Sequence, residues 1–329
     1  MTRNRHQGHG STSYKHRQQR MPSDIELSVI VSTFERPQHL ERCLASLALQ
    51  RRVEGQCEVI VADDGSRDRT HVVVDQFART VDFPVKLTTH PHAEYCVARS
   101  RNDGVRASRA SYLLFVDGDC IVPPDHLATH LRVRRSGVVW AGNGYRLTQE
   151  ASEQIDLDTI ASHGYRKLVP PTERQRLRRE WLKNKYYQLV GHPTKPKLDA
   201  CDFGVWRSDI ESVNGFDESF KGWGCEDDDL GIRLRRAGLR IDTILRYTRV
   251  FHLWHEFDPS HPGLWRQGAN VDRLLRFDVR PIRCRQGLVY DAADEAVGDF
   301  SEPPVFVEKF RVPHSTKSAV SKPCVTLPT

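Results

Sequence analysis

The chain has 329 residues, 38% of them hydrophobic and 28% charged, enough apolar content for one large α/β domain or two modest ones. Lysine plus arginine outnumber aspartate plus glutamate by 49 to 43, but Arg3, Arg5, Lys15, Arg17 and Arg20 all precede the first acidic residue, Asp24, so the rest is close to neutral. That argues against a nucleic-acid-binding body with a broad basic face, and no apolar run is long enough to span a membrane.

Residues 1–23 are rich in Arg, His, Gln, Ser and Gly and cannot bury enough apolar surface to offset their ordering entropy, so a disordered basic tail is expected. They contain no apolar core of a secretory leader, and the eight cysteines occur singly without a CxxC pair, so a reducing, cytoplasmic location is expected. Residues 27–32 (LSVIVS) form a short continuous apolar run, the mark of a strand buried on both faces. Pro37 suits the first turn of a helix, in which Leu40, Leu44 and Leu47 recur at helical spacing. Residues 58–62 (EVIVA) predict a second buried strand, followed by a helix over 68–79, a strand over 85–89 and a helix over 97–107. Residues 112–116 (YLLFV) are the strongest strand in the chain. Strand and helix alternating in this order predict an α/β fold: a mostly parallel, Rossmann-like sheet with helices on both faces, binding its ligand outside the carboxyl ends of the strands. Farther on, 173–187 reads as a basic helix, 215–229 as an acidic loop running into a helix over 228–237, and 248–253 as a strand. The stretch 291–329, rich in Pro and Ser, reads as a C-terminal tail. The expected division is a donor-binding half over 24–145 and an acceptor-binding, catalytic half over 146–290.

Acidic residues fall where such a sheet binds ligands. Asp117-Gly118-Asp119 leaves the YLLFV strand, and two carboxylates flanking one residue can hold Mg²⁺ or Mn²⁺ together with a diphosphate. Asp63-Asp64-Gly65-Ser66 closes the second strand, either as a turn with an Asx bond or as a carboxylate for a base or ribose. In Phe251-His-Leu-Trp-His, positions i and i+3 rarely share a strand face, so one imidazole, His252 or His255, is enough to complete a metal shell. The densest signal is Gly222-Trp223-Gly224-Cys225 followed by Glu226, Asp227, Asp228 and Asp229. Carboxylates at a helix start are favoured by the helix dipole, but the glycines and the flat Trp223 ring also suit a sugar, with a carboxylate beside it to deprotonate a hydroxyl.

The blocks VIVSTFERPQHLERCLASL, EVIVADDGSRDRT, VARSRNDGV with SYLLFVDGDCIVPPD, FGVWRSDIESVNGFDESFKGWGCEDDDLGIRLRRAG, and VFHLWH resemble, in order, a family 2 glycosyltransferase of the GT-A fold. The C-terminal segment is similar to the galactosyltransferase and chondroitin-polymerase type. The resemblance implies a metal-dependent inverting transfer of a sugar from a nucleotide-sugar, a UDP-sugar in the first instance, to a hydroxyl. The acceptor would be a glycan, a lipid-linked glycan or a small molecule, and contact with a membrane surface stays open. It implies that Thr33, Glu35 and Arg36 line the donor loop and that Asp63 and Asp64 lie near the uracil. Arg101 and Asn102 would flank the nucleotide, and Asp117 would face the ribose. Asp119 and His252, with His255 as the alternative, would hold Mn²⁺ or Mg²⁺. Asp227 would be the general base and Glu226 an acceptor-binding carboxylate, with Trp223 and Gly224 beside the acceptor. Cys225 stands where relatives often have Gly, and Glu35 where they often have Asn. A retaining GT-A enzyme and a non-catalytic module that binds through its basic tail are the rival readings.

Overall fold

The computed structural model describes residues 25–92, 95–256, 269–275, 281–290 and 305–307, so the basic tail and nearly all of the C-terminal tail lie outside the described residues. The strands are β1 (Leu27–Thr33), β2 (Cys57–Asp63), β3 (Val85–Thr89), β4 (Tyr112–Asp117), β5 (Cys120–Ile121), β6 (Val138–Ala141), β7 (Gly144–Arg146), β8 (Asp202–Trp206), β9 (Arg240–Thr243), β10 (Val250–His252) and β11 (Val305–Val307). The α-helices are α1 (Pro37–Ala48), α2 (Thr70–Ala78), α3 (Val97–Ala107), α4 (His126–Val133), α5 (Gln149–Glu153), α6 (Leu157–Ala161), α7 (Pro171–Leu189), α8 (Arg207–Ser212), α9 (Glu226–Arg236) and α10 (Ala269–Leu274).

Eight strands form one sheet in the order β11-β3-β2-β1-β4-β8-β6-β9. The strands predicted in the first half of the sequence form one parallel block, with β1 between β2 and β4 and β3 beyond β2, and β6 and β9 form a second parallel pair at the other edge. β8 runs antiparallel to both β4 and β6, so the sheet continues from the expected donor half into the expected acceptor half. A small second sheet, β5-β10-β7, lies at the carboxyl end of β4.

Alternation along β1 explains the layers. Val29 and Val31 point into a core shared with Leu40, Leu44 and Leu47 of α1 and with Val74 and Phe77 of α2. Ile30 points to the opposite face, into a core with Ala98 and Val105 of α3 and with Leu230 and Leu234 of α9. The sheet is therefore buried on both faces, and its strands are apolar at nearly every position. Gly104 brings α3 against β1: a Cβ there would stand 2.5 Å from Ile30 Cγ2. That close approach sets the depth at which Arg101, one turn earlier on α3, enters the site.

Candidate active site

The carboxyl ends of β1, β2 and β4 converge on one edge of the sheet. Asp117 is the last residue of β4, and its Oδ1 accepts from Ser32 Oγ of β1 at 2.8 Å. The loop then turns through Gly118, whose N–H donates to Ser32 O at 2.8 Å; a Cβ there would lie 2.9 Å from the same oxygen. The middle residue of the Asp-Gly-Asp triplet is thus fixed as glycine by contact with the neighbouring strand.

Asp119 follows, and three cationic or imidazole groups gather on its nearly buried carboxylate. His255 Nε2 lies 3.1 Å from Oδ2, Arg36 Nη1 3.4 Å from the same oxygen and His252 Nε2 3.5 Å from Oδ1. Burial alone would raise the Asp119 pKa, but His252, His255 and Arg36 together hold it well below the usual carboxylate range. His255 is itself raised: burial works against its charge, and the bond to Asp119 outweighs it. Both histidines reach one carboxylate because β10 ends at His252 and the chain leaves strand geometry before His255. Past that point side chains no longer alternate between strand faces, so both imidazoles, not one, reach the carboxylate. His255 Nδ1 lies 2.7 Å from Glu256 O, an acceptor, so this nitrogen carries a proton and Nε2 is the one turned towards Asp119. Cys120 Sγ also lies near Asp119 and His252, but burial pushes its thiol well above the ordinary value, and a protonated thiol is a poor ligand for a hard cation. The donor set of one carboxylate and two imidazoles fits a divalent ion that also accepts phosphate oxygens, with Mn²⁺ favoured over Mg²⁺ by the nitrogen ligands.

Arg101 joins this edge to the acidic helix. Its Nη2 donates to Asp117 Oδ1 at 3.0 Å and its Nη1 to Glu226 Oε1 at 2.7 Å, while the guanidinium lies 5.4 Å from the centre of the Phe216 ring. Glu226 is buried, and its Oε2 has no hydrogen-bond partner among the described residues. An unpaired buried carboxylate oxygen at this edge of the sheet can accept from a hydroxyl. The helix begins two residues earlier than expected, so Glu226 and Asp227 both lie in the first turn of α9 rather than in the preceding loop. Asp227 is half-buried and its pKa is raised well above the usual range, by burial first and then by Glu226, Asp228 and Asp199. A carboxylate so raised has the proton affinity a general base needs.

The GWG turn before α9 is held from outside. Asn270 Nδ2 of α10 lies 3.0 Å from both Lys221 O and Gly224 O, and Trp223 remains about a third exposed. Cys225 has φ +77°, the left-handed region that favours glycine. Asn102 is fully buried and donates to Phe216 O and Glu218 Oε1, so it fastens the loop before GWG and does not face the nucleotide edge.

The loops after β1 and β2 divide. Asp63 accepts from Ser66 N, Ser66 Oγ and Thr89 Oγ1, the Asx-type turn expected of a strand end. Asp64 accepts from Cys96 N at 2.9 Å and Ser100 Oγ at 3.3 Å, and burial pushes its carboxyl up to about 6. Both are almost fully buried and serve the loops around them. Thr33 packs on Gly118, whereas Glu35 is exposed, has φ +45° and donates its N–H to Ser66 Oγ. Phe34 stacks on His92 with ring centres 4.2 Å apart, an aromatic pair beside the donor loop that the sequence reading missed. Asp199 and Asn270 were missed as well. Asp199 has a raised pKa, from burial and the nearby Asp117 charge, yet it occupies a polar stretch that no motif marks.

Residues 28–190 match the glycosyl transferase family 2 model, and residues 195–256 match the model described as the N-terminal domain of galactosyltransferase. The validoxylamine A glucosyltransferase of Streptomyces hygroscopicus subsp. limoneus is 30% identical over 273 residues, covering 76% of this chain and 56% of that protein. The chondroitin synthase of Escherichia coli is 25% identical over 225 residues, covering 64% of this chain and 32% of the synthase. The chain thus spans about half or less of the length of these relatives. The structure of S. aureus TarS 1–349 in complex with UDP-GlcNAc aligns with a TM-score of 0.49 at 16% identity, covering 72% of this chain and 61% of that one. With the two models adjoining across one continuous sheet and meeting at the Asp117–Arg101–Glu226 bridge, the chain belongs to glycosyl transferase family 2 and carries a galactosyltransferase-type C-terminal segment.

Proposed function

We propose that this chain is a metal-dependent, inverting glycosyltransferase that moves a sugar from a nucleoside diphosphate sugar, a UDP-sugar first of all, to a hydroxyl of its acceptor. The observation that carries this reading is Asp227, a carboxylate of raised pKa in the first turn of α9, held beside a diphosphate-type edge by the Arg101 bridge.

In this reading Asp227 takes the proton of the acceptor hydroxyl as the oxygen attacks the anomeric carbon from the side opposite the leaving diphosphate. Glu226, fixed at one oxygen by Arg101, orients a sugar hydroxyl with the other. Trp223 offers its exposed ring to the apolar face of the acceptor, and Asp117 accepts from the ribose. Asp119 with His255 and His252 would hold the divalent ion, which when bound neutralises charge on the departing diphosphate. His255 is the stronger ligand candidate, because its Nδ1–H is anchored on Glu256 O, the arrangement that turns the other ring nitrogen towards a metal. Arg36, beside Asp119, would add positive charge at the phosphates.

The two relatives are named for a small-molecule acceptor and for a polysaccharide. The acceptor class is therefore proposed broadly, as a hydroxyl of a glycan, a lipid-linked glycan or a small molecule. The test is nucleotide release from a panel of UDP-, GDP- and TDP-sugars with and without Mn²⁺, with Asp119→Ala as control. Metal-dependent UDP release that the variant loses supports the reading, and an inverted product anomer supports the mechanism. Absence of turnover or binding with every donor and metal would overturn both.

A further inference from the structure

Helix α7 is the part of the molecule that the proposed reaction leaves unexplained. It has nineteen residues, and of these only Leu177 and Asn184 are buried. Towards its C-terminal end Leu182 is 53% exposed, Tyr186 60% and Leu189 85%. A helix advances about 100° per residue, so these three side chains fall within an arc of about 60°. Exposed Arg174 and Arg178 lie along one edge of that arc, and exposed Arg179 and Lys183 along the other. Arg178, Arg179 and Lys183 have no carboxylate partner among the described residues. Exposed apolar residues scattered singly need no explanation, and α7 over its whole length is not strongly amphipathic, but its last two turns present three exposed apolar side chains with cations on both sides, a patch that suits the headgroup boundary of a lipid surface.

The surface continues beyond the helix. Leu189 also lines an open hollow of about 670 Å³ whose other walls include Lys185, Lys195, Arg235, Arg236 and Arg240. Asp242 lies beside it, bound by Lys185 and Arg240 at 2.8 Å, and Asp228 acts on Lys195 and Arg235. Lys185, Lys195, Arg235 and Arg240 still outnumber these two carboxylates, which suits the hollow to an anionic ligand.

We propose that the outward stripe of α7 and the basic hollow at its end form one membrane-docking surface that seats the protein on an anionic phospholipid bilayer. Leu182, Tyr186 and Leu189 enter the boundary between headgroups and acyl chains. The flanking cations and those of the hollow meet lipid phosphates, and long Lys and Arg stems extend along the apolar surface to reach them. This surface is independent of the transfer reaction, so its test needs no turnover.

The test is co-sedimentation of the full chain with vesicles of phosphatidylcholine alone and of phosphatidylcholine mixed with phosphatidylglycerol, at moderate salt. The wild type is expected to pellet with the mixed vesicles and to stay in solution with phosphatidylcholine alone. Each cation at an anionic surface counts for roughly fivefold in partitioning, so Arg178→Gln/Arg179→Gln/Lys183→Gln should weaken binding on the order of a hundredfold. Leu182→Glu/Leu189→Glu should lose at least about tenfold through the apolar contact. All these positions face solvent, and an unchanged melting temperature will show that each variant is folded. The proposal is overturned if the wild type ignores the mixed vesicles, if it binds phosphatidylcholine equally well, or if Leu182→Glu/Leu189→Glu binds as the wild type does.

Discussion

Replacing Arg101 with Met tests the bridge between the two halves of the site. Arg101 is 4% exposed, and its guanidinium is shared between Asp117 Oδ1 and Glu226 Oε1. Removing it leaves two carboxylates of very different surroundings. The Asp117 side chain is about a quarter exposed and keeps its bond from Ser32 Oγ, so water and that hydroxyl recover much of its loss. The Glu226 side chain is 10% exposed and already has one oxygen without a partner, so it becomes a nearly bare buried charge. Breaking a buried pair from one side costs about 3–5 kcal/mol. With Asp117 partly solvated the lower end applies, about 3 kcal/mol, or a melting point lower by on the order of 10 °C. The assay is thermal and urea unfolding of Arg101→Met, Glu226→Gln and the double variant. Glu226→Gln should restore at least about 1 kcal/mol in the Arg101→Met background by removing the stranded charge. If Arg101→Met stays within about 1 kcal/mol of wild type, or if the two losses simply add, the bridge is not what joins the halves.

Three further perturbations address single groups. Asp227→Asn should lower kcat by about 10²–10⁴-fold while sparing donor affinity measured by calorimetry, and a parallel loss of donor binding would remove Asp227 from the base role. In the wild type the base works deprotonated, so kcat should climb with pH through the raised Asp227 pKa, and a rate flat across that range would contradict the assignment. His255→Ala should raise the half-saturating Mn²⁺ concentration by more than about tenfold and by more than His252→Ala does; the reverse order would make His252 the principal ligand. Burial pushes the Asp64 carboxyl in the folded chain up to about 6, above its unfolded value of about 4, so its contribution to stability is fully present below about pH 4 and is lost as pH rises through about 6. Asp64→Asn should therefore gain melting temperature relative to wild type between about pH 4 and about pH 7, and a difference that does not change with pH would show that Asp64 does not titrate in this way.

The parallel block β3-β2-β1-β4 was readable because strands buried on both faces must be apolar throughout: β3 and α3 begin and end where the pattern placed them, β1 and β4 run one residue longer at the C-terminal end, and β2 is one residue longer at each end. β8 was not readable, because its sequence, DFGVW, starts on an aspartate and contains a glycine. Asp202 of β8 is nonetheless fully buried, where His126 Nε2 and His130 Nε2 approach its Oδ1 at 3.2 and 3.0 Å. Composition does not report partners of that kind, which α4 supplies from elsewhere in the chain. The carboxylates of the site were visible as motifs, but their uses were not. Asp63 and Asp64 follow one strand as Asp117 and Asp119 follow another, yet the first pair turns inward to hold loops and the second pair faces the open edge. What separates them is cover from His90, His92 and Cys96, which meet Asp64 directly, a contact that spacing cannot encode.

Arg101 shows how family 2 and galactosyltransferase-type segments can work as one site. Its partners are 16 and 125 residues away, one at the end of β4 and the other in the first turn of α9. In the proposed function, a donor ribose on Asp117 would draw on a carboxylate whose Oδ1 already serves Arg101 and Ser32, and would leave the guanidinium more fully to Glu226. A tighter Arg101–Glu226 pair would hold the first turn of α9, and with it Asp227, in place for the acceptor hydroxyl. Donor binding and base positioning would then be linked through a single side chain, and such a linkage is reciprocal. The consequence is specific: Glu226→Gln, which weakens one end of the bridge without touching the nucleotide, should change donor affinity as well as turnover. A donor affinity identical to wild type would mean that the two halves share a sheet but do not communicate through Arg101.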